Sequence, residues 1–570
     1  MTRKTSFNIK ISGQAGEGIK SSGLILARAL TRLGYSVFGY SEYPSLIRGG
    51  ENTYQIYASI NDVYSQIKLI DLFIALDQKT IINHQSEMNE KTIILYNKAK
   101  FSLPKISLVG QYIPINFTEI ALKAGGSPIM GNVVSLGVVL TLFNLPLITL
   151  KQTIAKEFSD KPAKITEINH RMAKAGQTYI DNHHQKLKIN VALPNTKKKR
   201  IIITGNEATA LGAIAGGLQF FSTYPMTPAT SILHFLAQEA KEMGIFVKHV
   251  EDEISAINMA LGAAFTGVRS MAATSGSGLC LMAEGITLAG IAELPVVVVN
   301  GMRPGPGAGM PTWTGQGDLQ FVLHLGHDDF PRVVLAPGDA QEAFSLTRWA
   351  LNAAEKYQLP IIILSDKYLA ESDYSLSPFK SIYENDRFNF ADKPSINFKR
   401  YSLTNQSLSL RSIPGQKNGI YCCNSYEHDE YGLATEDPQL RTKMMKKRLS
   451  KENLVINDLP LQLTFGAKKG KLGLISFGST KGPILEALKN LPNIGYLHLN
   501  CLWPFPKNQV IKFMNQFEKL ICLEANATGQ LANLLKEQTA ITLEKYLKYD
   551  GRPFYPEEIV EKITKFVIAN

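Results

Sequence analysis

Four short stretches of this chain carry residue types that could do chemistry. Glu251-Asp252-Glu253 stands where a helix should start, and the run that follows, residues 254–264, is small and almost wholly apolar. Carboxylates at a helix start are favoured by its dipole alone. Here, however, the helix itself is expected to be buried, and a partly buried Glu253 could share a proton with a ligand nitrogen. Tyr224-Pro225-Met226-Thr227-Pro228 brackets a threonine between two prolines. Each proline fixes its own φ and restricts the residue before it, so Thr227 would present its hydroxyl in one orientation. A rigid loop with Pro228 as the first helical residue fits the same pattern. Arg303 opens the stretch Arg303-Pro-Gly-Pro-Gly-Ala-Gly-Met-Pro-Thr312, just after an all-valine strand. Long Gly/Pro-rich loops at strand ends tend to be functional, and a guanidinium there could hold a carboxylate with two bonds. Gly13-Gln-Ala-Gly16-Glu-Gly18 follows a strand and precedes a helix, where amides and the helix N-terminus can cradle a phosphate. Its spacing is not that of the dinucleotide fingerprint, and a tight turn needing glycine for sterics reads equally well. Arg48-Gly49-Gly50 adds an arginine beside flexible backbone.

These stretches need elements to hold them, and the pattern predicts an α/β chain of three units with mainly parallel sheets. Residues 1–185 alternate strands (Phe7–Ile11, Tyr35–Tyr40, Leu69–Leu76, Thr92–Leu95) with helical runs. Residues 186–200 form a polar linker ending in Lys197-Lys198-Lys199-Arg200. A second unit spans 201–375, with Thr227, Glu253 and Arg303 at its strand and helix ends. Residues 376–465 are polar and weakly periodic, a connecting segment ending in a charged helix, and 466–570 make a third α/β unit.

Composition narrows the class. The 570 residues are 45% hydrophobic and 19% charged, which suits a globular protein with sizeable cores. The net charge of +12 has no helix-turn-helix, zinc-finger or aromatic-interleaved stripe beside it, so anionic small molecules explain it better than nucleic acid. None of the five cysteines forms a CxxC pair, which argues against a zinc site or iron–sulfur cluster on this chain and fits a reducing cytoplasm. The apolar window 133–148 is too short and interrupted to span a membrane, and the N-terminus lacks a signal-peptide pattern.

Taken in order, the pieces GQAGEG, RGG, YPMTPAT, EDEISAINMALGAA, ATSGSG, NGMRPGPGAGMPT, QGDL, FPRVVLAPGD, SDKYLAES, EHDEYG, FGSTKG, WPFP and EANATGQ cover nearly the whole chain. In this order they resemble the α subunits of the 2-oxoacid:ferredoxin oxidoreductases whose γ domain is fused at the N-terminus. The resemblance implies a γ-type domain, a thiamine diphosphate pyrimidine-binding domain and a transketolase C-terminal-like domain. It implies that Glu253 bonds the aminopyrimidine of thiamine diphosphate, that Thr227 bonds the 2-oxoacid and that Arg303 pairs with its carboxylate. It places coenzyme A on the N-terminal domain, where Gly13, Gly16, Gly18 and Arg48 are the expected contacts. No Gly-Asp-Gly stretch of the kind that holds Mg²⁺-diphosphate occurs, nor do cluster cysteines. By resemblance both belong to a separate β subunit, which carries Mg²⁺ and a [4Fe-4S] cluster in an α2β2 assembly. The implied reaction is oxidative decarboxylation, with electrons passed to ferredoxin and the acyl group to coenzyme A. The fused γ domain points to 2-oxoglutarate, with Arg332 and Lys367 as cations for its second carboxylate. Pyruvate or branched-chain 2-oxoacids are the alternative substrates. A lipoamide-linked dehydrogenase subunit and a non-catalytic coenzyme A-binding scaffold are the alternative functions.

Overall fold

The computed structural model describes residues 3–46, 49–104, 107–195, 198–380 and 385–569. The chain divides into two compact units, one of residues 1–203, 372–379 and 555–570, the other of residues 204–371 and 380–554.

The first unit is built on an eight-stranded sheet. Its central strand, Ser6–Gln14, shows why it forms: successive side chains point to opposite faces. Phe7, Ile9 and Ile11 enter an apolar core beneath the helix Ile19–Arg32. Asn8, Lys10 and Ser12, on the other face, are also buried but polar. Each finds partners there. Asn8 donates to the carbonyls of Ile67 and Leu69 at 3.0 and 2.8 Å, Lys10 pairs with Glu87 at 2.5 Å, and Ser12 donates to Glu51 at 2.6 Å. On one side the strands Leu72–Ala75, Ile93–Tyr96 and Gln111–Pro114 add in parallel. On the other, Glu51–Ser59, Ser36–Glu42 and Asp373–Leu376 add antiparallel, so this sheet is mixed. The strand Glu51–Ser59 is absent from the sequence reading, because its Asn52, Thr53, Gln55 and Ser59 look like loop polarity. The strand Asp373–Leu376 returns to this unit from residues far along the chain.

The second unit holds a seven-stranded and a five-stranded sheet. Five of the seven strands run parallel in the order Val333–Leu335, Pro360–Asp366, Val296–Met302, Ser270–Thr274, Phe220–Thr223, and Phe246–His249 extends them in parallel. The short strand Cys501–Trp503 caps the far edge antiparallel, just after Ile494–Leu499 of the five-stranded sheet. One apolar core therefore contains Val298 and Ile362 from one sheet with Phe477 and Leu497 from the other. Several of the quoted pieces turn out to be stitches between these layers. Ser479 donates to buried Asp366 at 2.6 Å, and Gln316 joins the Phe477 carbonyl, Thr480 and the Ala525 amide at 3.0 Å each. Glu524 accepts the amides of Leu531 and Ala532 at 2.7 and 2.9 Å, capping the helix Gln530–Thr539.

Residues 385–456 are denser than their composition suggests. The helices Pro438–Leu449 and Lys451–Ile456 bring Lys447 and Lys451 onto Glu293, at 2.6 and 2.5 Å, with all three side chains buried. Glu355 likewise sits among Arg269, Arg387 and Arg411. Among the described residues no single helix is long and apolar enough to cross a membrane.

Candidate functional site

The parallel register aligns the carboxyl ends of four strands, pairing Thr223 with His249 and Ala273, and Thr274 with Asn300. Such an edge is where open α/β sheets bind ligands, because loops and helix N-termini converge there. Thr227, Glu253 and Arg303 all lie just beyond it.

Glu253 is the first residue of the helix Glu253–Phe265, which Asp252 caps by accepting the Ser255 amide at 2.7 Å. The cap directs Asp252 outward and leaves Glu253 only 3% exposed. Its Oε1 is fully buried and has no hydrogen-bond partner, as is the Thr274 hydroxyl beside it. A buried carboxyl oxygen without a partner is costly, and native proteins seldom keep one without a ligand or water to satisfy it. The facing helix, Ser277–Ile291, offers glycine at the point of closest approach: a Cβ at Gly278 would overlap both Glu253 Oε1 and Thr274 Oγ1. Gly278 thus keeps open the space that the carboxyl faces.

Thr227 and Arg303 are brought into direct contact, though by the backbone. Arg303 Nη1 donates to the Thr227 carbonyl at 2.7 Å. The Thr227 hydroxyl has no partner among the described residues, and Arg303 Nε is buried without one. Burial lowers the Arg303 pKa, opposed by the negative charge of Asp318. Asp318, which the sequence reading did not single out, belongs to this group. Asn300 Nδ2 donates to it at 2.9 Å, and Asn300 Oδ1 accepts the Gly276 amide at 2.8 Å, tying three loops together. Burial raises the Asp318 pKa against the opposing effects of Asn300 and Arg303. The available signal was the QGDL piece, but Asp318 becomes half-buried only when residues 300, 303 and 318 meet in space. Beside Arg303 opens a cleft of about 540 Å³, lined also by Asp318, Asn526, Thr528, Gln530 and Tyr549.

Arg332 and Lys367 do not serve as extra cations here. Arg332 is buried over the Phe330 ring and donates to the Val322 and Leu325 carbonyls at 3.1 and 2.6 Å. Lys367 is fully buried, with Glu371 4.0 Å away.

In the first unit the glycine loop sits at the end of Ser6–Gln14. Gly16 and Gly18 adopt φ of 93° and 69°, a region that favours glycine, and Gly18 leads into the helix Ile19–Arg32 without a side-chain cap. Gly13 is hemmed in by Glu17 and Leu76. Ala15 donates to the Gly50 carbonyl at 3.3 Å, which joins this loop to the Arg48-Gly49-Gly50 stretch, although Arg48 itself lies outside the described residues. Glu17 takes the Gln14 amide at 2.8 Å and pairs with Lys100. The amides of Gly16 and Gly18 have no acceptor among the described residues, so they and the helix start are what a phosphate would find.

Residues 8–179 match the family described as Pyruvate ferredoxin/flavodoxin oxidoreductase. Residues 211–447 match Pyruvate flavodoxin/ferredoxin oxidoreductase, thiamine diP-bdg, and 472–559 match Pyruvate:ferredoxin oxidoreductase core domain II. The 2-oxoacid:ferredoxin oxidoreductase subunit alpha of Saccharolobus solfataricus is 34% identical, over 98% of this chain and 97% of its own. The 2-oxoglutarate oxidoreductase subunit KorA of Mycobacterium tuberculosis is 26% identical over 97% of this chain and 90% of its own. A solved 2-oxoglutarate:ferredoxin oxidoreductase from Magnetococcus marinus, with 2-oxoglutarate, coenzyme A and succinyl-CoA bound, superposes with a TM-score of 0.93. That chain is 33% identical over 99% of this one and 100% of its own.

Proposed function

The chain belongs to the 2-oxoacid:ferredoxin oxidoreductase alpha subunits, and from that premise we propose that Glu253, Thr227 and Arg303 form the pyrimidine- and substrate-binding half of a thiamine diphosphate site. A β subunit completes it, with the Mg²⁺-bound diphosphate and a [4Fe-4S] cluster, in an α2β2 enzyme that reduces ferredoxin. The observation that carries this reading is the unpartnered, buried Oε1 of Glu253 at the carboxyl edge of the sheet, with Gly278 holding the space before it. When bound, thiamine diphosphate supplies the nucleophilic carbon and the electron sink for decarboxylation.

This chain's own groups do the rest. The Glu253 carboxyl holds a proton towards a ring nitrogen, in a site where little water competes for it. The Arg303 guanidinium, fixed by its bond to the Thr227 carbonyl, keeps Nε and Nη2 for the substrate carboxylate. The Thr227 hydroxyl orients the 2-oxo group from the same loop. Coenzyme A is placed at the glycine loop, contacting Gly13, Gly16 and Gly18 through backbone, with Arg48 as its cation.

We take 2-oxoglutarate as the preferred substrate. The 2-oxoglutarate-bound relative aligns over the full chain and supports this choice. The test is the chain co-expressed anaerobically with its β subunit, assayed by coenzyme A-dependent reduction of a low-potential viologen dye. A kcat/KM higher for 2-oxoglutarate than for pyruvate is expected. The reverse order would overturn the substrate and leave the family reading in place. Dye reduction without coenzyme A consumption would overturn the placement of coenzyme A as acyl acceptor.

A further inference from the structure

A second concave site lies in the first unit, away from the glycine loop. It is a cleft of about 650 Å³ between the helices Ile19–Arg32 and Leu147–Glu157 and the chain leading into the strand Ile201–Thr204. Its lining carries five cations, Arg28, Arg32, Lys156, Lys199 and Arg200, and one carboxylate, Glu157. Glu157 is paired with Arg28. Arg200 pairs with Asp62 at 2.5 Å, and its Nε is fully buried with no partner. Arg32, Lys156 and Lys199 have no carboxylate partner among the described residues. Arg32 and Lys156 stand in the last turns of their helices, where the carbonyl ends suit a cation. That account does not extend to Arg28, Lys199 and Arg200.

Like charges gathered in a concavity repel one another and focus a positive potential that raises the local concentration of anions. With Arg28 paired to Glu157 and Arg200 to Asp62, the lining leaves three positive charges uncompensated among the described residues, Arg32, Lys156 and Lys199. One phosphate brings roughly 1.5 to 2 negative charges, so it does not balance them, whereas two or three adjacent phosphates do. Arginine forks match phosphate oxygens in pairs. Among the described residues no aromatic ring lines the cleft, so recognition runs through the anion and not through a stacked base. We propose that this cleft binds a small molecule carrying two or more adjacent phosphates, held by Arg28, Arg32, Lys156, Lys199 and Arg200. Arg28 and Arg32 lie roughly 14 and 20 Å along the helix axis from the glycine loop at its start. The cleft is thus separate from the coenzyme A contacts proposed above and does not depend on them.

Calorimetric titration of the full chain, in complex with its co-purified subunit, tests this. The probes are inorganic pyrophosphate, orthophosphate, ATP and coenzyme A. Pyrophosphate is expected to bind one per chain and at least tenfold more tightly than orthophosphate. The pair of exposed substitutions Arg32→Glu and Lys156→Glu should weaken it at least tenfold with the thermal unfolding midpoint unchanged. If that midpoint falls, the milder pair Arg32→Gln and Lys156→Gln is read instead. Competition identifies the source: displacement by ATP alone marks a free nucleotide, and displacement by coenzyme A marks its nucleotide end. No saturable pyrophosphate binding, or the same affinity in the substituted chain, would overturn the proposal.

Discussion

Two of the three proposed site residues, Glu253 and Arg303, make separable predictions. Glu253→Gln keeps the volume and a hydrogen bond but not the acid, so the complex should fold and lose roughly 10²- to 10⁴-fold in kcat, the range of a lost general acid–base group. Gly278→Ala should mimic part of that loss with the Glu253 side chain still present, because its Cβ intrudes on Glu253 Oε1. Turnover of Glu253→Gln within threefold of the parent would remove Glu253 from the mechanism. Arg303→Lys keeps the charge but loses the fork. It should cost about 1.5–3 kcal/mol in kcat/KM, or roughly 10- to 100-fold, measured by steady-state kinetics with 2-oxoglutarate. An unchanged kcat/KM would show that the substrate carboxylate lies elsewhere. These three residues were legible because each is announced by its neighbours in sequence: a buried-helix start, a proline-bracketed loop, a Gly/Pro loop after valines. Asp318 was not, because nothing within ten residues of it predicts that Asn300 and Arg303 will enclose it.

Among the elements, the strands that follow an apolar alternation were legible and the polar interior ones were not. Glu51–Ser59 pairs with Ser6–Gln14 along its full length, yet its buried face is satisfied by partners distant in sequence. Glu51 shows how. His84, Ser12 and Asn83 contact its carboxylate at 3.0, 2.6 and 2.6 Å. Burial raises its pKa, but these bonds more than offset that and hold it down at about 2. Its folded pKa lies below the unfolded value of about 4.3. The stabilisation is therefore complete above that value and is lost as pH falls through about 2. Burial and Lys10 lower the His84 pKa, while Glu51 and Glu87 raise it further, leaving it above the ordinary histidine value. That shift reports the same contact from the other side, so the two are not added. The full shift corresponds to roughly 3 kcal/mol, and the carboxylate's partial exposure reduces this to about 1–2 kcal/mol. Glu51→Gln should lower the urea midpoint at pH 6 and flatten its decline between pH 4.5 and 2. Parallel declines in both proteins would show that Glu51 gains nothing from its partners.

At the scale of the whole molecule, the order of the quoted pieces foretold the α/β class, while the connecting segment gave almost no sign of its role. Composition presents residues 376–465 as a solvated excursion, because a sequence does not say which charges will be paired indoors. In the structure Lys447 and Lys451 are buried on the carboxylate of Glu293, and buried Arg400 donates to its backbone carbonyl at 2.9 Å, at the end of the helix that carries Gly278. Burial would raise the Glu293 pKa, but Lys447, Lys451 and Arg400 hold it well below the usual carboxylate range. Burial pulls Lys451 down to about 7 against the attraction of Glu293. A cluster of one anion and three cations cannot lose the anion cheaply: Glu293→Gln would leave Lys447 and Lys451 facing an amide, with the charge of buried Arg400 close by. We expect a loss of about 3–5 kcal/mol, the scale for breaking a buried pair from one side, read as a lower denaturant midpoint. Removing a cation as well should reverse part of it, so the double variant Glu293→Gln, Lys451→Met should be more stable than Glu293→Gln alone. That order distinguishes a charge effect from a packing effect, which would make the double variant the worse of the two. Because Glu293 lies two residues beyond the helix Ser277–Ile291, the single variant should also weaken thiamine diphosphate binding in the folded fraction, and the double variant should restore it. Unchanged affinity in a destabilised single variant would confine the cluster to holding residues 385–456 in place.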